Sequence, residues 1–264
     1  MNTLLTEIRQ TLIDLDKGLK GQLNMTQSME DMMLAFTLNQ FPGRNPFDAC
    51  TWEKLAWPSK KSLFSQFADM LKRIGQLETW TEDLVTPFSV WVSGMFNPTA
   101  FMTAVKQVTA RSQGSALDKM TTETHVTLMR EASEADYFPD SGAFVHGLFI
   151  EGARWPSLDE VEEVEIVGSE PETKCGGVLT ESKLKELLPA MPLLYVKAVP
   201  VDPAWLPEAV GYMRPFDEST YECPVYQTTL RGGSTYIFLA TLNTKEPCGK
   251  WVLTATALML QSDD

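Results

Sequence analysis

The hydrophobic period of this sequence changes once, near residue 120, and that change limits the fold more than any other feature. Before it, apolar residues recur at three- and four-residue spacing, the mark of helices with one buried face. In NTLLTEIRQTLIDLDKGLKG the stripe is Leu4, Leu5, Ile8, Leu12, Leu15 and Leu19, with Gly18 or Gly21 as the stop. Ser28 followed by Asp31 opens a second helix through QSMEDMMLAFTLNQ, ended by Pro42 and Gly43. FPGRNPFDAC then reads as a loop. Ser59 caps a third helix carrying Leu63, Phe67, Met70, Ile74 and Leu77. Asn97 and Pro98 supply the cap and first residue of a fourth, with Phe101, Met102, Val105 and Val108 inside and Gly114 as the stop.

After residue 120 the period is two. ETHVTLM, AFVHGLFI, LLYVKAV, VYQTTL, TYIFLAT and KWVLTATALML read as strands separated by Gly and Pro. One short helix, ESKLKELL, interrupts them, and TTLRGGSTYIF reads as a hairpin with Gly232 and Gly233 at positive φ. Helices first and strands second make an α+β fold. The expectation is an N-terminal α-helical subdomain over 1–120 and, over 121–264, a small, partly open antiparallel β-barrel of about six strands. The stretch 156–175, which contains SLDEVEEVEIVGSEPETKC, holds too many carboxylates for a core and is expected as a solvated loop, roughly a long hairpin.

The protein has 264 residues and a net charge of −13. That balance argues against nucleic acid, whose phosphates call for clustered Lys and Arg, and against anionic membranes. Four cysteines without a CxxC pair, and no leader or membrane-length apolar run, read as free thiols in a reducing, cytoplasmic compartment.

A search for chemistry assigns no catalytic, cofactor-binding or metal-ligating residue. There is no phosphate-binding glycine loop, no GxSxG and no HExxH. His125 and His146 both sit in strand-like runs and read as packing residues; an enzyme using His146 as base is the weakest reading. Glu151 and Arg154, three apart in VHGLFIEGARW, pair with each other only if Gly152 turns the backbone. They are expected to hold a strand end, with Trp155 packed beside them. Trp52, Trp57, Trp80 and Trp91 read as core or inter-element contacts.

Ordered segments across the sequence resemble the C-terminal domain of dynein heavy chains, the axonemal type more than the cytoplasmic. These are WEKLAWPSKKSLFSQFADMLKRIGQLETW, FSVWVSGMFNPTAFMTAVKQVTAR, VHGLFIEGARW (similar to the family's GLxxEGARW), LTESKLKELLPAMPLLYVKAV and YECPVYQTTLRGGSTYIFLATL, with KWVLTATALML similar to its closing strand. Two departures stand out. The acidic excursion after Trp155 is longer than the family's usual hairpin, and TATALML stands where the family commonly has Arg-Gly before its apolar run.

The resemblance implies a non-catalytic regulatory and structural cap that packs on the AAA+ ring of its own heavy chain, in a minus-end-directed microtubule motor. ATP and Mg then belong to the parent ring, with no cofactor in this fragment. The first helix resembles the junction with the last AAA+ module and reads as cut from a longer protein. Partners are the ring and, through the parent, other dynein subunits and microtubules, in the axoneme of a cilium or flagellum. Gly147, Glu151, Arg154 and Trp155 are expected to be structural. The alternative is a protein-binding module that recruits an accessory subunit or neighbouring motor through the barrel or through Asp159, Glu160, Glu162, Glu163 and Glu165.

Overall fold

A computed structural model describes residues 1–43, 50–57, 59–82, 87–162, 164–167, 173–201, 206–208, 211–213 and 217–260. Pro58, Glu163 and most of the FPGRNPFDAC loop lie outside the described residues. The protein divides into two units, between Asp83 and Leu84. The expected division near 120 counted the Asn97-led helix with the other helices; in the structure that helix belongs with the strands.

The first unit contains α1 (Asn2–Leu19), α2 (Gln27–Thr37), α3 (Trp52–Leu55) and α4 (Leu63–Glu82). Its core takes Leu4, Ile8 and Leu15 from α1, Met32 from α2, Trp52 from α3, and Leu63 and Met70 from α4. Leu12 and Leu19 of the predicted stripe stay exposed. Trp52 is fully buried, its ring edge-on to Phe67 at 6.3 Å, and its Nε1–H donates to Thr11 Oγ1 at 3.0 Å. Burying an indole this way satisfies its one donor while using its whole apolar surface. Arg73 is also inside, its guanidinium 4.0 Å from the Trp57 ring, and burial pulls its pKa down to about 10. Two caps differ from expectation. Thr26, not Ser28, caps α2 by accepting from the Met29 N–H, and Ser59 accepts from the Lys61 N–H in the turn before α4.

The second unit contains β1 (Ser89–Trp91), α5 (Pro98–Gln113), β2 (Met120–Val126), β3 (Ala143–His146), β4 (Phe149–Glu151), β5 (Val164–Val167), β6 (Thr173–Gly176), β7 (Leu194–Pro200), β8 (Leu206–Glu208), β9 (Gly211–Met213), β10 (Thr220–Tyr226), β11 (Tyr236–Asn243), α6 (Cys248–Leu253) and β12 (Ala257–Met259). The α5 caps match the reading: Asn97 Oδ1 accepts from the Ala100 N–H at 3.0 Å, and Gly114 ends the helix in the left-handed conformation. Val105 and Ala110 of α5 pack on Met120 and Ala198.

The α+β class holds, but among the described residues the strands do not close into a barrel. They form two four-stranded sheets, ordered β1-β3-β7-β2 and β11-β10-β12-β4, and two separate ribbons, β5-β6 and β8-β9. Pairings are mixed, with β1 parallel to β3 and β10 parallel to β12. β2 and β11 are edges of different sheets and meet through a side chain rather than a backbone ladder: the Thr241 N–H donates to the Thr124 hydroxyl at 2.7 Å.

Three local expectations also fail. ESKLKELL is a turn segment with Lys185 and Leu188 at positive φ. The hairpin forms, with β10 antiparallel to β11, but Gly232 and Gly233 are absent from the positive-φ positions and a longer loop joins the strands, closed by Gln227 N–H to Thr235 O at 2.8 Å. KWVL belongs to α6, where Trp251 is fully buried and donates to Thr244 Oγ1 at 2.7 Å, and only the residues after the helix return to a strand.

Candidate functional site

Residues 145–155 carry the backbone from one sheet to the other. β3 pairs with β1 and β7, and β4 pairs with β12. The change of sheet is made at Gly147, whose φ is +85°. A methyl group there would lie 2.5 Å from Trp91 Cδ1 and 2.6 Å from Ser93 Oγ, and the Ser93 hydroxyl donates to the Gly147 carbonyl. Both the backbone angle and the space require glycine.

The backbone turns again at Gly152, φ +79°, with the Thr254 carbonyl 2.5 Å from where a Cβ would stand. The backbone does turn at Gly152, the condition for a mutual pair, but Glu151 and Arg154 take different partners instead. Glu151 pairs with Arg231, whose guanidinium also donates to the Ala255 carbonyl. Arg154 pairs with Glu160 at 2.8 Å. The Arg154 backbone is itself fixed by a two-way bridge: its N–H donates to Thr180 O at 2.9 Å, and the Thr180 N–H donates back at 3.1 Å. Trp155 is buried, and its Nε1–H donates to Gly176 O at 3.3 Å, at the end of β6. The tryptophan thus anchors the far end of the acidic excursion.

The described residues of that excursion form regular structure. Ser157 and Glu160 form a reciprocal capping box around a 3-10 turn, Leu158–Glu160. The Glu160 carboxylate accepts from Arg154, from the Ser157 N–H at 3.1 Å, and lies 3.5 Å from Lys183. The Arg154 guanidinium, then the Ser157 N–H, hold its pKa down at about 2. The stretch continues into the β5–β6 ribbon, tied to the end of β2 by a bridge between Thr127 and Cys175. Val164, Glu165 and Ile166 face solvent, as their charge pattern predicts, whereas Val167, Thr173 and Cys175 are buried. Burial pushes the Cys175 thiol up to about 12.

Between the turn, the ribbon and the Asn243–Lys245 segment lies an open cleft of about 780 Å³. Glu160, Glu162, Glu165 and Asp217 line it, together with Arg154 and Lys245. Lys245 reaches Glu162 at 3.1 Å. Asp217 accepts from the Ser219 N–H and hydroxyl at 2.9 and 2.7 Å, which hold its carboxyl below the usual range. Of the acidic residues singled out from sequence, Glu160, Glu162 and Glu165 meet here; Asp159 is exposed outside the lining, and Glu163 lies outside the described residues. Arg154 joins them, while Gly147 and Glu151 sit at the sheet crossover instead. Sequence reasoning missed Lys183, Asp217 and Lys245. Only Asp217, two before a serine in a local turn, carried a readable signal.

The histidines are packed rather than clustered at this cleft. His125 stacks on Tyr195, ring centroids 6.2 Å apart, and Nε2 lies 3.8 Å from Glu123. His146 does not line the cleft, and burial lowers its pKa. The cleft offers paired carboxylates and cations to a polar ligand surface, suited to a protein segment carrying basic and amide groups.

A family model for the C-terminal domain of the dynein heavy chain matches residues 1–260. The protein belongs to that family. It is 40% identical over 261 residues to dynein axonemal heavy chain 17 of Mus musculus, covering 99% of this chain and 5% of the relative. It is also 40% identical to the ciliary dynein beta chain of Tripneustes gratilla over the same length, again 99% of this chain and 5% of the relative. To the flagellar outer arm dynein beta chain of Chlamydomonas reinhardtii it is 38% identical over 260 residues, 98% of this chain and 5% of that one. This dynein C-terminal domain therefore spans about a twentieth of the length of these relatives, which are axonemal, ciliary and flagellar proteins, and its place is with that cytoskeletal group.

Proposed function

We propose that this protein is the non-catalytic regulatory and structural cap of an axonemal dynein heavy chain. It packs on the AAA+ ring of its parent, an ATP-driven microtubule motor, and tunes the motor by favouring one ring conformation over another. A coupling of about 1–3 kcal/mol is enough to shift motor behaviour five- to hundredfold. The observation that carries this reading is the coverage: nearly the whole sequence matches a twentieth of each relative, so it corresponds to one module of a much larger protein. The surface of the helical unit supports it. Phe64 and Leu71 of α4 are 72% and 67% exposed, and Leu34 of α2 is 59% exposed. Phe64 and Leu71, seven apart on α4, share one helix face, and large apolar side groups exposed along a face fit coverage by a bigger body. The test is direct: purify a parent motor head truncated before this domain, add the domain, and measure binding. Association weakened by Phe64→Glu and Leu71→Glu supports packing through the helices, and no association overturns it.

The cleft favours a second reading, recruitment of an accessory subunit or neighbouring motor through its carboxylates. Neutralising Asp159, Glu160, Glu162 and Glu163 together would then abolish capture of that partner while leaving association with the truncated head intact.

A further inference from the structure

Ser157 opens the acidic stretch, and neither reading above uses its hydroxyl. The residue is exposed, and its Oγ accepts from the backbone N–H of Glu160 while the Glu160 carboxylate accepts from the Ser157 N–H. Carboxylates follow it at the second, third, fifth and sixth positions: Asp159, Glu160, Glu162 and Glu163. Within this stretch the described backbone bonds are short-range turns, Glu160 N–H to Ser157 O at 3.0 Å and Val161 N–H to Leu158 O at 3.4 Å. The segment can therefore be drawn into an enzyme's cleft without opening a sheet ladder. That combination of exposed hydroxyl, detachable backbone and a run of downstream negative charge is what a protein kinase with a basic substrate groove selects.

We propose that Ser157 is a phosphorylation site for an acid-directed serine kinase. In the step, Ser157 Oγ attacks the γ-phosphorus of MgATP, the bond from that phosphorus to the bridging oxygen of ADP breaks, and the hydroxyl proton passes to the kinase's catalytic carboxylate.

The structure also supplies a receiver for the product. Arg154 lies 2.8 Å from Glu160, the residue that shares the capping box with Ser157. Arg130 donates through Nη2 to the carbonyl of Pro156, the residue immediately before. A phosphate on Ser157 brings a charge of about −1.5 to −2 and three acceptor oxygens to this neighbourhood. It outcompetes a single carboxylate for the Arg154 guanidinium, because a dianion with bidentate geometry binds arginine more strongly. Glu160 then loses its main partner and repels the new charge, which rearranges the wall of the cleft that Glu160 lines. The modification thus acts on the acidic flank, whichever body the domain packs against.

The test uses the 264-residue protein with a purified acid-directed serine kinase and MgATP, read by intact mass and peptide mapping. The expected result is about one phosphoryl group per molecule, on Ser157, lost in Ser157→Ala. Asp159→Asn and Glu160→Gln should each slow labelling about tenfold, the value of a charge-assisted contact. Phosphorus NMR should place the second phosphate pKa below the usual ~6, and Arg154→Gln should return it there. Ser28, Ser133, Ser169 and Ser262, each followed by two nearby carboxylates, are internal competitors. Labelling confined to any of them, or no labelling of a protein that circular dichroism shows folded, overturns the site. A phosphate pKa indifferent to Arg154→Gln overturns the arginine clamp.

Discussion

Replacing Gly147 by alanine tests how the two sheets are joined. At φ +85° an alanine pays the left-handed penalty, about 1–2 kcal/mol. Its methyl would also stand 2.5 Å from Trp91 Cδ1 and 2.6 Å from Ser93 Oγ, well inside contact distance. Those neighbours belong to β1 and the turn after it, so relieving the overlap means moving the strand that pairs with β3. Overpacking of this kind costs about 1–3 kcal/mol, so the total is about 2–5 kcal/mol. For a unit of this size that lowers Tm by roughly 4–20 °C. Gly114→Ala is the control: its φ is +64°, but no atom lies within 4 Å of the added methyl. Only the backbone term applies there, about 1–2 kcal/mol, or roughly 2–8 °C. Both variants should be melted by calorimetry at one pH and ionic strength. Equal shifts for the two would refute the claim that crowding against Trp91 and Ser93 makes glycine necessary at the crossover.

Three further outcomes follow from the same geometry. Trp155→Ala removes a buried indole and its bond to Gly176, costing about 3–5 kcal/mol; hydrogen exchange should speed up in Thr173–Gly176, and unchanged protection there would contradict the anchoring role. Glu160 has a folded pKa lowered from 4.5 to about 2, so its contribution to stability is present above pH 4.5 and is lost as pH falls towards 2. Its carboxyl carbon, followed by NMR, should titrate near 2 and move up towards 4.5 in Arg154→Ala; a midpoint that ignores Arg154 would remove the ion pair from the account. His146 has a folded pKa lowered by burial from 6.5, so the folded state keeps the imidazole neutral, and stability declines as pH falls below 6.5 through that lowered value. Melting His146→Gln at pH 7.5 and pH 5.5 (about a unit on either side of the free imidazole) should show a smaller loss than wild type, and an identical loss would place the acid sensitivity elsewhere.

Local signals carried the helices, and long-range ones hid the sheets. Asn97-Pro98 and Gly114 bracket α5 as read, because caps act within one turn of the helix. The change of period near 120 located the strands but not their partners. AFVHGLFI looks like one strand, yet Gly147 divides it between two sheets, and only the Trp91 ring packed against that glycine reveals why. The alternation in KWVLTATALML was equally misleading: Trp251 is buried from a helix, held by Thr244 across a short turn. At the candidate site, spacing brought Glu151 and Arg154 to notice but did not name their partners. Glu151 finds Arg231 in a loop that closes only when β10 and β11 have formed. Arg154 finds Glu160 only because the capping box folds the acidic stretch back on itself. The carboxylate run was read as solvated, and its first half is. Its second half enters the core through Val167, Thr173 and Cys175, whose small apolar signal was outweighed by neighbouring charge.

The central claim, that this domain is a cap acting on a motor ring, is tested most directly by ATP turnover of the parent head truncated just before it, with and without the domain added at saturating concentration. The account predicts a changed steady-state rate, reversed by Phe64→Glu with Leu71→Glu in the added protein. A rate that stays the same while the domain is demonstrably bound would contradict regulation and leave only a passive brace.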